Sequence, residues 1–372
     1  MNKKNKILII IIVIFLIGFV FERINTNKSN VYEEQNVSSI KKDKELLSMN
    51  LEQTAGAGDY KTVTQSSWPT EGYVFNEELS KCENGSTLSW DDTKKIVIMQ
   101  GNVSDKCYVY FDKILTLAKY VISQYTGTQG DNALYYHNST LTNGAGDNSY
   151  RYAGASDSVN NYICLGSDEA TCPDANLFRI IGVFGDKTKV IRAKSVGEQE
   201  WDTNGSNTWS SSSLNTYLNG EYLTSLGTLA DKIATTTWKV GGGSRANIGN
   251  SVPATAYQYE VGSNASTTII DKKIDLMYVS DYGFAASQEA WTTKLDSYDS
   301  NTSKNWLYLG SPEWTISRDS GTTSYTFYVH SVGVVFNGLV TYSLVVRPSF
   351  NLLSSAKYVS GSETIENPIR IN

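Results

Sequence analysis

Residues 177–193 read LFRIIGVFGDKTKVIRA, two apolar stretches on either side of a Gly-Asp pair. The first stretch, Phe178–Val183, is too continuously apolar for a surface strand. The second stretch, Thr188–Ala193, is rich in β-branched residues, which favour strands. Gly185-Asp186 is typical of the two-residue turn that closes a β-hairpin. The sequence therefore predicts a hairpin inside a core sheet.

A second hairpin signal lies in the C-terminal quarter of the chain. Two β-prone runs, Tyr325–Val329 and Val332–Phe336, precede the turn dipeptide Asn337-Gly338, and Leu339–Val346 follows it. This pattern predicts a hairpin that turns at Asn337-Gly338. Its second half, Val340–Val346, is apolar enough to join the core sheet.

Helical signals are fewer in this region. Ser211–Ser213 can cap a helix whose apolar residues recur with helical spacing over 214–223. The apolar run at Asp275–Ser280 indicates a buried strand. Together these patterns predict an α+β, β-rich domain over residues 134–372.

The composition of the 372-residue chain agrees with a folded, β-rich protein. Hydrophobic residues make up 40% and charged residues 19%, which argues against a disordered chain. The 29 Gly, 24 Tyr and 8 Trp against 6 Pro favour short strands and long loops, as in extracellular domains. Residues 1–50 carry eight Lys/Arg and five Asp/Glu, so the net charge of −6 becomes −9 over residues 51–372. An acidic outer part is a poor partner for nucleic acid.

A smaller module is predicted at residues 68–125, built from short β-prone runs in an antiparallel β unit. Cys82 and Cys107 are spaced to pair across it, and closing the 24 residues between them contributes roughly 3 kcal/mol. Cys164 and Cys172 flank a seven-residue loop and are expected to form the other disulfide. The spacings match neither a zinc site nor a C-x-x-C redox pair, so no metal ligand is predicted.

The N-terminus predicts a membrane anchor. Lys3, Lys4 and Lys6 precede fifteen consecutive apolar residues at 7–21. No small-x-small cleavage site follows that run, no lipoprotein cysteine is near, and a prepilin would place its glycine before the apolar stretch. An uncleaved signal anchor over residues 1–22 is therefore expected, and an unusual signal peptide is the alternative. Basic residues on the N-terminal side keep that end cytoplasmic.

This anchor predicts a single-pass cell-membrane protein whose C-terminal ectodomain lies outside the cytoplasm. Residues 23–67 hold few large apolar side chains and are expected to form a flexible stalk. A short helix at Ser38–Leu51 is the only element expected within it.

Four motifs occur in an order that is typical of one protein family. They are Arg179-Ile180-Ile181-Gly182, Trp209 followed by Leu214–Gly220, Trp314–Arg318, and Val346–Phe350. In this order they resemble an uncharacterised domain family of Gram-positive bacterial surface proteins, over about residues 150–370. That family is similar to C-type-lectin-like and formylglycine-generating-enzyme-like folds, so the resemblance implies a C-type-lectin-like domain. Formylglycine-generating enzymes use cysteines late in the fold, and this chain has none after Cys172.

Catalytic motifs are absent from the sequence: there is no G-x-S-x-G, H-E-x-x-H or Walker loop. The only histidines are His137 and His330, and His330 lies in an alternating strand-like run, where a structural role is the default. No cofactor is predicted, and calcium is the one ion left open.

Aromatic residues among small polar ones predict a ligand-binding surface instead. The candidate contacts are Trp291, Trp306, Trp314, Arg318 and Tyr325. The loops Thr292–Lys304 and Ser317–Ser324 bracket two of these tryptophans, and recognition residues commonly lie on such loops. The alternative is that Trp306 and Trp314 belong to the core. Arg347, which precedes Pro348, is expected to be a buried structural arginine paired with an acid.

The predicted function is therefore that of a membrane-anchored recognition or adhesion protein of the cell surface, with a glycan, peptide or protein ligand. The alternative is a structural or assembly component of the envelope, such as a pseudopilin-like or scaffold protein. A surface carbohydrate-active enzyme is the third hypothesis, because Asp and Glu are common but no particular pair stands out.

Overall fold

The computed structural model describes residues 37–40, 46–64, 67–69, 72–102 and 104–372. The chain divides into two compact units, Met1–Leu115 and Thr116–Asn372. The predicted anchor at 7–21 lies outside the described residues. Among the residues that are described, no helix is both long enough and apolar enough to cross a bilayer.

The first unit is built from short strands. They are β1 (Val37–Ser39), β2 (Leu46–Glu52), β3 (Tyr60–Val63), β4 (Tyr73–Phe75), β5 (Lys81–Cys82), β6 (Thr87–Asp91), β7 (Ile96–Gln100) and β8 (Cys107–Lys113). One sheet has the order β1-β7-β6, and the other has the order β3-β2-β8-β4 with β5 also paired to β8. The strand pairs within the predicted module 68–125 are antiparallel as expected, and β2, which lies before the module, adds a parallel pair with β8.

Three of these strands, β1, β2 and β3, lie in the segment 23–67 that is predicted to be a flexible stalk. β2 buries Met49 and Leu51 in the core of the first unit, and β3 pairs with it. The same strand replaces the helix expected at Ser38–Leu51. The local composition did not predict this strand, because β2 is stabilised by backbone pairing with β8, about sixty residues further along the chain. For residues 46–63 the stalk prediction is therefore corrected.

The second unit contains sixteen strands and five short α-helices. The strands are β9 (Leu134–Tyr136), β10 (Tyr150–Tyr152), β11 (Tyr162–Cys164), β12 (Leu177–Phe184), β13 (Lys187–Arg192), β14 (Glu198–Glu200), β15 (Thr236–Lys239), β16 (Ile269–Lys272), β17 (Ile274–Asp275), β18 (Glu313–Arg318), β19 (Tyr325–Val329), β20 (Val335–Leu339), β21 (Ser343–Val345), β22 (Ser349–Asn351), β23 (Tyr358–Ser360) and β24 (Ile369–Ile371). The α-helices are α1 (Leu117–Ser123), α2 (Ser213–Tyr217), α3 (Leu223–Ser225), α4 (Pro253–Glu260) and α5 (Val279–Ala285). Because α1 belongs to this unit, the boundary falls after Leu115 and not after residue 125 as predicted.

The nine-stranded sheet of the second unit has the order β17-β22-β13-β12-β11-β24-β23, with β10 joining β12 to β9. The predicted hairpin of β12 and β13 is confirmed: Phe184 faces Lys187 across the turn, and Gly185 has a φ of +64°. A bulge interrupts the pairing at Gly182, where a Cβ atom would lie 2.2 Å from the carbonyl oxygen of Tyr150. Only glycine permits this close approach of β10.

A five-stranded sheet has the order β14-β21-β18-β19-β20. Its C-terminal hairpin differs from the prediction, because the chain turns at residues 330–334 and Asn337-Gly338 lies within β20. A Cβ atom on Gly338 would lie 2.9 Å from the ring of Tyr342 and 3.0 Å from that of Tyr328. This glycine therefore makes room for two rings and does not form a turn. The run expected to be one core strand, Val340–Val346, breaks into a turn at 340–342 followed by β21, although Val340 and Val346 themselves are buried.

The predicted capped helix is confirmed at Ser212, whose side chain accepts a hydrogen bond from the Asn215 N–H. It continues from α2 through one π-helical turn at Leu218–Tyr222 into α3. The buried strand expected at Asp275–Ser280 is only partly formed, since β17 ends at Asp275 and α5 begins at Val279. Segments of 3-10 helix complete the unit at Asp131–Ala133, Asp174–Asn176, Trp209–Ser211, Gly227–Lys232, Gln288–Thr292 and Leu295–Lys304.

Both predicted disulfides are confirmed. Cys82 and Cys107 face each other on β5 and β8 of the first unit. Cys164 at the end of β11 joins Cys172 across a surface loop of the second unit. The protein is thus β-rich, with short helices and two local cross-links.

Candidate functional site

The three predicted tryptophans of the ligand surface are buried, with exposed fractions of 0 to 2%. Each indole N–H donates to a backbone carbonyl: Trp291 to Ala286 at 2.9 Å, Trp306 to Tyr152 at 2.8 Å, and Trp314 to Gln199 at 2.9 Å. A buried indole needs such a partner, and here each one fixes a core contact. The predicted aromatic surface is therefore corrected, and the alternative of core tryptophans holds.

The remaining predicted contacts, Arg318 and Tyr325, are half-buried and do not form a site with the tryptophans. The Arg318 Nε–H donates to the Gly241 carbonyl at 2.8 Å. The loop 317–324 is held in place because the side-chain amide of Asn207 donates to three backbone carbonyls in or next to the loop. These are Asp319, Thr322 and Tyr325, at 2.6 to 2.8 Å. The other loop, 292–304, folds into 3-10 turns that bury Leu295 and Tyr298.

A different site lies in the second unit, a cavity of about 350 Å³ that we call the aromatic cavity. Its lining comes from β10 and the residues just before it, the β12–β13 hairpin, β15, α4, the start of α5 and β22. The lining residues are Asp147, Arg151, Phe184, Lys187, Lys189, Thr236, Thr237, Trp238, Lys239, Tyr257, Val261, Tyr278, Ser280, Asp281 and Asn351. It combines rings with charged groups, as small-molecule sites commonly do.

Buried charges form part of this lining. The Lys189 ammonium donates to Asp281 Oδ2 at 2.5 Å, and Arg151 Nη1 lies 3.6 Å from Asp281 Oδ1. Arg151 also donates through Nη2 to Asp147 Oδ2 at 2.6 Å. Lys189, Asp281 and Arg151 are all at least 90% buried, so each charge depends on its partners for compensation.

Aromatic rings surround both cations. The Arg151 guanidinium lies 4.6 Å from the ring centre of Phe184 and 5.2 Å from that of Tyr257. The Lys189 ammonium lies 4.8 Å from the ring of Tyr278 and 5.2 Å from that of Trp238. These cation–π contacts replace part of the hydration that burial removes, and they hold the cations at fixed positions.

Backbone N–H groups at the start of α5 hold two carboxylates in position beside the cavity. Asp281 accepts from the Tyr278 N–H at 2.9 Å. Glu260, the last residue of α4, accepts from the Val279 and Ser280 N–H groups at 2.9 Å and from the Ser317 hydroxyl. Burial raises the pKa of Glu260 to about 7. These contacts fix the first turn of α5, which carries Ser280 and Asp281 into the cavity lining.

Asp147 is the more exposed acid of the cluster. Burial opposes its ionisation, but the positive charge of Arg151 and hydrogen bonds from Ser149 outweigh that effect and lower the pKa of Asp147 to about 2. Asp147 therefore remains a carboxylate beside Arg151 at physiological pH.

His137 packs close to this cluster but offers no acid-base chemistry. Burial and the nearby Arg151 charge lower its pKa well below the usual range, so the ring is neutral. Its Nδ1 accepts from the Ala145 N–H at 3.1 Å, and its ring packs against Phe284 and Trp291. Within the part of the chain that the structure describes, no group of three or more His, Cys, Asp or Glu side chains could hold a metal. The arrangement is suited to binding.

Sequence comparison places most, but not all, of the cavity lining within a domain family. Residues 185–354 match a family described as a domain of unknown function, DUF6273. The match includes the cavity residues from Lys187 to Asn351, whereas Asp147, Arg151 and Phe184 precede it. The chain matches no curated protein and no solved structure.

The cavity is not visible in the sequence because its charged residues are far apart in the chain. Lys189 and Asp281 are separated by 92 positions, and Arg151 lies outside the domain match. One signal was present: Lys189 lies in the hairpin that is predicted to belong to the core sheet, where lysine is rarely buried without a partner.

Proposed function

We propose that this protein is a membrane-anchored recognition protein of the cell surface that binds a glycan, peptide or protein ligand in the aromatic cavity. The observation that carries the proposal is the burial of Lys189, Asp281 and Arg151 beside a cavity with aromatic walls. Placing charges out of water is costly, so their retention there is best explained by a specific role. The cavity thereby takes the place of the tryptophan-bearing loops as the proposed ligand site.

The chemistry of the walls supports binding of a ligand with both an apolar face and polar groups. Trp238, Tyr278 and Tyr257 offer flat apolar area, and Thr236 and Asn351 offer hydrogen-bonding groups. Sugars and peptide side chains present this combination.

The cell-surface location rests on the N-terminal sequence and on the cysteines. The Lys-flanked apolar run at 7–21 supports a single-pass anchor with an extracytoplasmic ectodomain. Two disulfides and no free cysteine among the described residues support an oxidising compartment. Protease treatment of intact cells is expected to release the part beyond residue 22, and finding the whole chain in the cytoplasm would contradict this location.

A C-type-lectin-like fold for residues 134–372 and an origin in Gram-positive surface proteins are parts of the same proposal. Their support is the order of the four motifs between Arg179 and Phe350. The second unit combines mostly antiparallel sheets with short helices, an α+β composition that also supports this part of the proposal.

The experiment is a glycan and peptide array probed with the detergent-solubilised full chain. Val261→Trp and, separately, Thr237→Trp place an indole into the cavity from two of its walls. Val332→Trp is the matched control, since Val332 is 52% exposed and does not line the cavity. Thermal unfolding first checks that each variant has the same melting temperature as the wild type.

We expect the wild type and Val332→Trp to be retained by the same spots, and both cavity variants to lose that retention. Retention that survives both cavity variants would overturn the cavity as the site. Absence of retention on both arrays would favour the structural or assembly alternative.

A further inference from the structure

The lining of the aromatic cavity has more positive than negative charge, although the chain as a whole carries −6. Four of its residues are cationic, Arg151, Lys187, Lys189 and Lys239, whereas only Asp147 and Asp281 are anionic. Lys187 is paired with Asp186, an exposed residue outside the lining. An excess of positive charge in one concave site of an acidic protein favours an anionic ligand.

Lys239 is the cation without an acidic partner. Its ammonium donates to the carbonyls of Val261 at 2.9 Å and Gly262 at 3.3 Å. Among the described residues it forms no ion pair. An ammonium has three donors, so one remains for a ligand, and the two carbonyls fix the position of the charge without neutralising it.

Further unused donors lie in the same lining. The Thr236 hydroxyl is buried and has no hydrogen-bond partner. Lys189 donates one hydrogen bond, to Asp281, and keeps two N–H groups. Asn351 lies opposite Lys189 on the neighbouring strand β22, and its side-chain amide also lines the cavity. A buried hydroxyl without a partner is costly, which indicates that a bound group completes its hydrogen bonds.

We propose that the aromatic cavity recognises a carboxylate attached to an apolar or ring-shaped group, with Lys239 as the residue that determines this specificity. This inference rests on the proposed function, because it names the ligand class of the same site. The rings of Trp238 and Tyr278 contact the apolar face, and Lys239, Thr236 and Asn351 bind the carboxylate and its neighbouring polar atoms.

A carboxylate fits the remaining donors better than a phosphate does. Arg151 has the planar donor set that suits phosphate best, but it is already occupied by Asp147. The donors that remain, an ammonium, an amide and a hydroxyl, are single-point groups that suit a monoanion. Such a carboxylate occurs in uronic acid sugars and at the C-terminus of a peptide.

The test is isothermal titration calorimetry of the detergent-solubilised full chain with matched pairs of probes. Methyl glucuronide is compared with methyl glucoside, and N-acetylphenylalanine with its amide. Inorganic phosphate is the third arm. The two pairs distinguish an acidic sugar from a peptide terminus as the source of the carboxylate.

The variants are Lys239→Met and Lys239→Gln, which remove the charge with different side chains. Lys194→Met is the control, because Lys194 is an exposed lysine that pairs with Asp174 and lies outside the cavity. A charge-assisted hydrogen bond changes affinity by about tenfold or more. We therefore expect at least one carboxylate probe to bind about tenfold more tightly than its neutral counterpart. Both Lys239 variants are expected to lose that advantage, and Lys194→Met is expected to keep it.

Equal binding of carboxylate and neutral probes would overturn the inference, as would a preference that survives both Lys239 variants or tighter binding of phosphate. If neutral probes bind and Val261→Trp abolishes their binding, the cavity remains the recognition site and only its specificity is different. If no carboxylate probe binds, the inference fails, and the array experiment then decides the proposed function independently.

Discussion

The two units of this protein achieve stability in different ways. The first unit has a small core, centred on Val97, Val109 and Phe111, and a disulfide that ties two paired strands together. The second unit has a large continuous core and buries several ion pairs within it. Small domains bury too little surface to be stable without cross-links, whereas a large core can hold buried charges in place. The aromatic cavity, the proposed recognition site, lies in the second unit.

The largest effect is expected at Arg347, whose predicted role as a buried arginine paired with an acid is confirmed. It donates two hydrogen bonds of 2.7 Å to Glu313 and a third to the Leu307 carbonyl. Arg347→Met leaves Glu313 buried without its partner, and we expect a loss of about 3–5 kcal/mol in the free energy of unfolding. Urea unfolding, followed by tryptophan fluorescence, measures this loss.

The control is the double variant Arg347→Met with Glu313→Leu, which removes both charges. It is expected to recover most of the lost stability, since no unpaired charge remains. A double variant as unstable as the single one would mean that packing of the arginine, and not charge compensation, stabilises this part of the core.

The next largest loss of stability is expected on removal of the disulfides, and it differs between the two. Replacing Cys82 and Cys107 by serine opens a loop with 24 intervening residues and should destabilise the first unit by about 3 kcal/mol. Replacing Cys164 and Cys172 opens a loop with only seven and should cost about 1 kcal/mol less. Hydrogen exchange resolved to each unit measures both. If the amide hydrogens of the first unit exchange equally slowly with and without its disulfide, the first unit does not depend on its cross-link more than the second unit does.

Local sequence signals predicted the parts of this fold that local forces determine. The β12–β13 hairpin depends on a two-residue turn with a positive φ at Gly185, and the cap at Ser212 depends on an N–H three residues away. The arginine at 347 stood out because a charged residue between apolar strands needs a partner. Each of these features is visible within a few neighbouring residues.

Features that depend on distant pairing could not be predicted in this way. The strand β2 is stabilised by β8, and Asn337-Gly338 has the composition of a turn although the glycine serves the packing of Tyr328 and Tyr342. The aromatic cavity needs Arg151, Lys189 and Asp281 from three separate regions. The predicted tryptophans were misplaced because composition alone does not distinguish a core indole from an exposed one.

A smaller change in the free energy of unfolding, at most about 3 kcal/mol, is expected when Glu363 in the second unit changes its protonation state with pH. Burial raises the pKa of this carboxyl to about 7 from 4.5, and the Tyr152 hydroxyl lies 2.8 Å from it. The folded state therefore holds a proton that the unfolded state releases above pH 4.5. Its stabilising contribution is complete below pH 4.5 and is lost as the pH rises to 7.

Glu363→Gln removes this titration, so the variant should exceed the wild type in stability at pH 8 and match it at pH 4. Glu366→Gln is the control, because Glu366 is exposed three residues away. Thermal unfolding at both pH values measures the difference. Parallel pH profiles for the wild type and Glu363→Gln would show that the pKa of Glu363 is not raised by folding.

The smallest loss of stability is expected from a substitution in the C-terminal hairpin, where Gly338 lies within β20. Gly338→Ala places a methyl group against the rings of Tyr342 and Tyr328, and overpacking of this kind costs about 1–3 kcal/mol. Gly220→Ala is the matched control, since nothing lies within 4 Å of a Cβ atom at Gly220. It should be neutral or slightly stabilising within its helical segment. A larger loss at Gly220 than at Gly338 in urea unfolding would contradict this reading of the hairpin.

The central claim is that recognition occurs in the aromatic cavity and not on the loops 292–304 and 317–324. Amide hydrogen exchange of the full chain, with and without saturating methyl glucuronide or N-acetylphenylalanine, compares these regions directly. We predict added protection at 236–239, 257–261 and 278–281, which line the cavity, and no change in the two loops. Protection of either loop without protection at the cavity would contradict the claim.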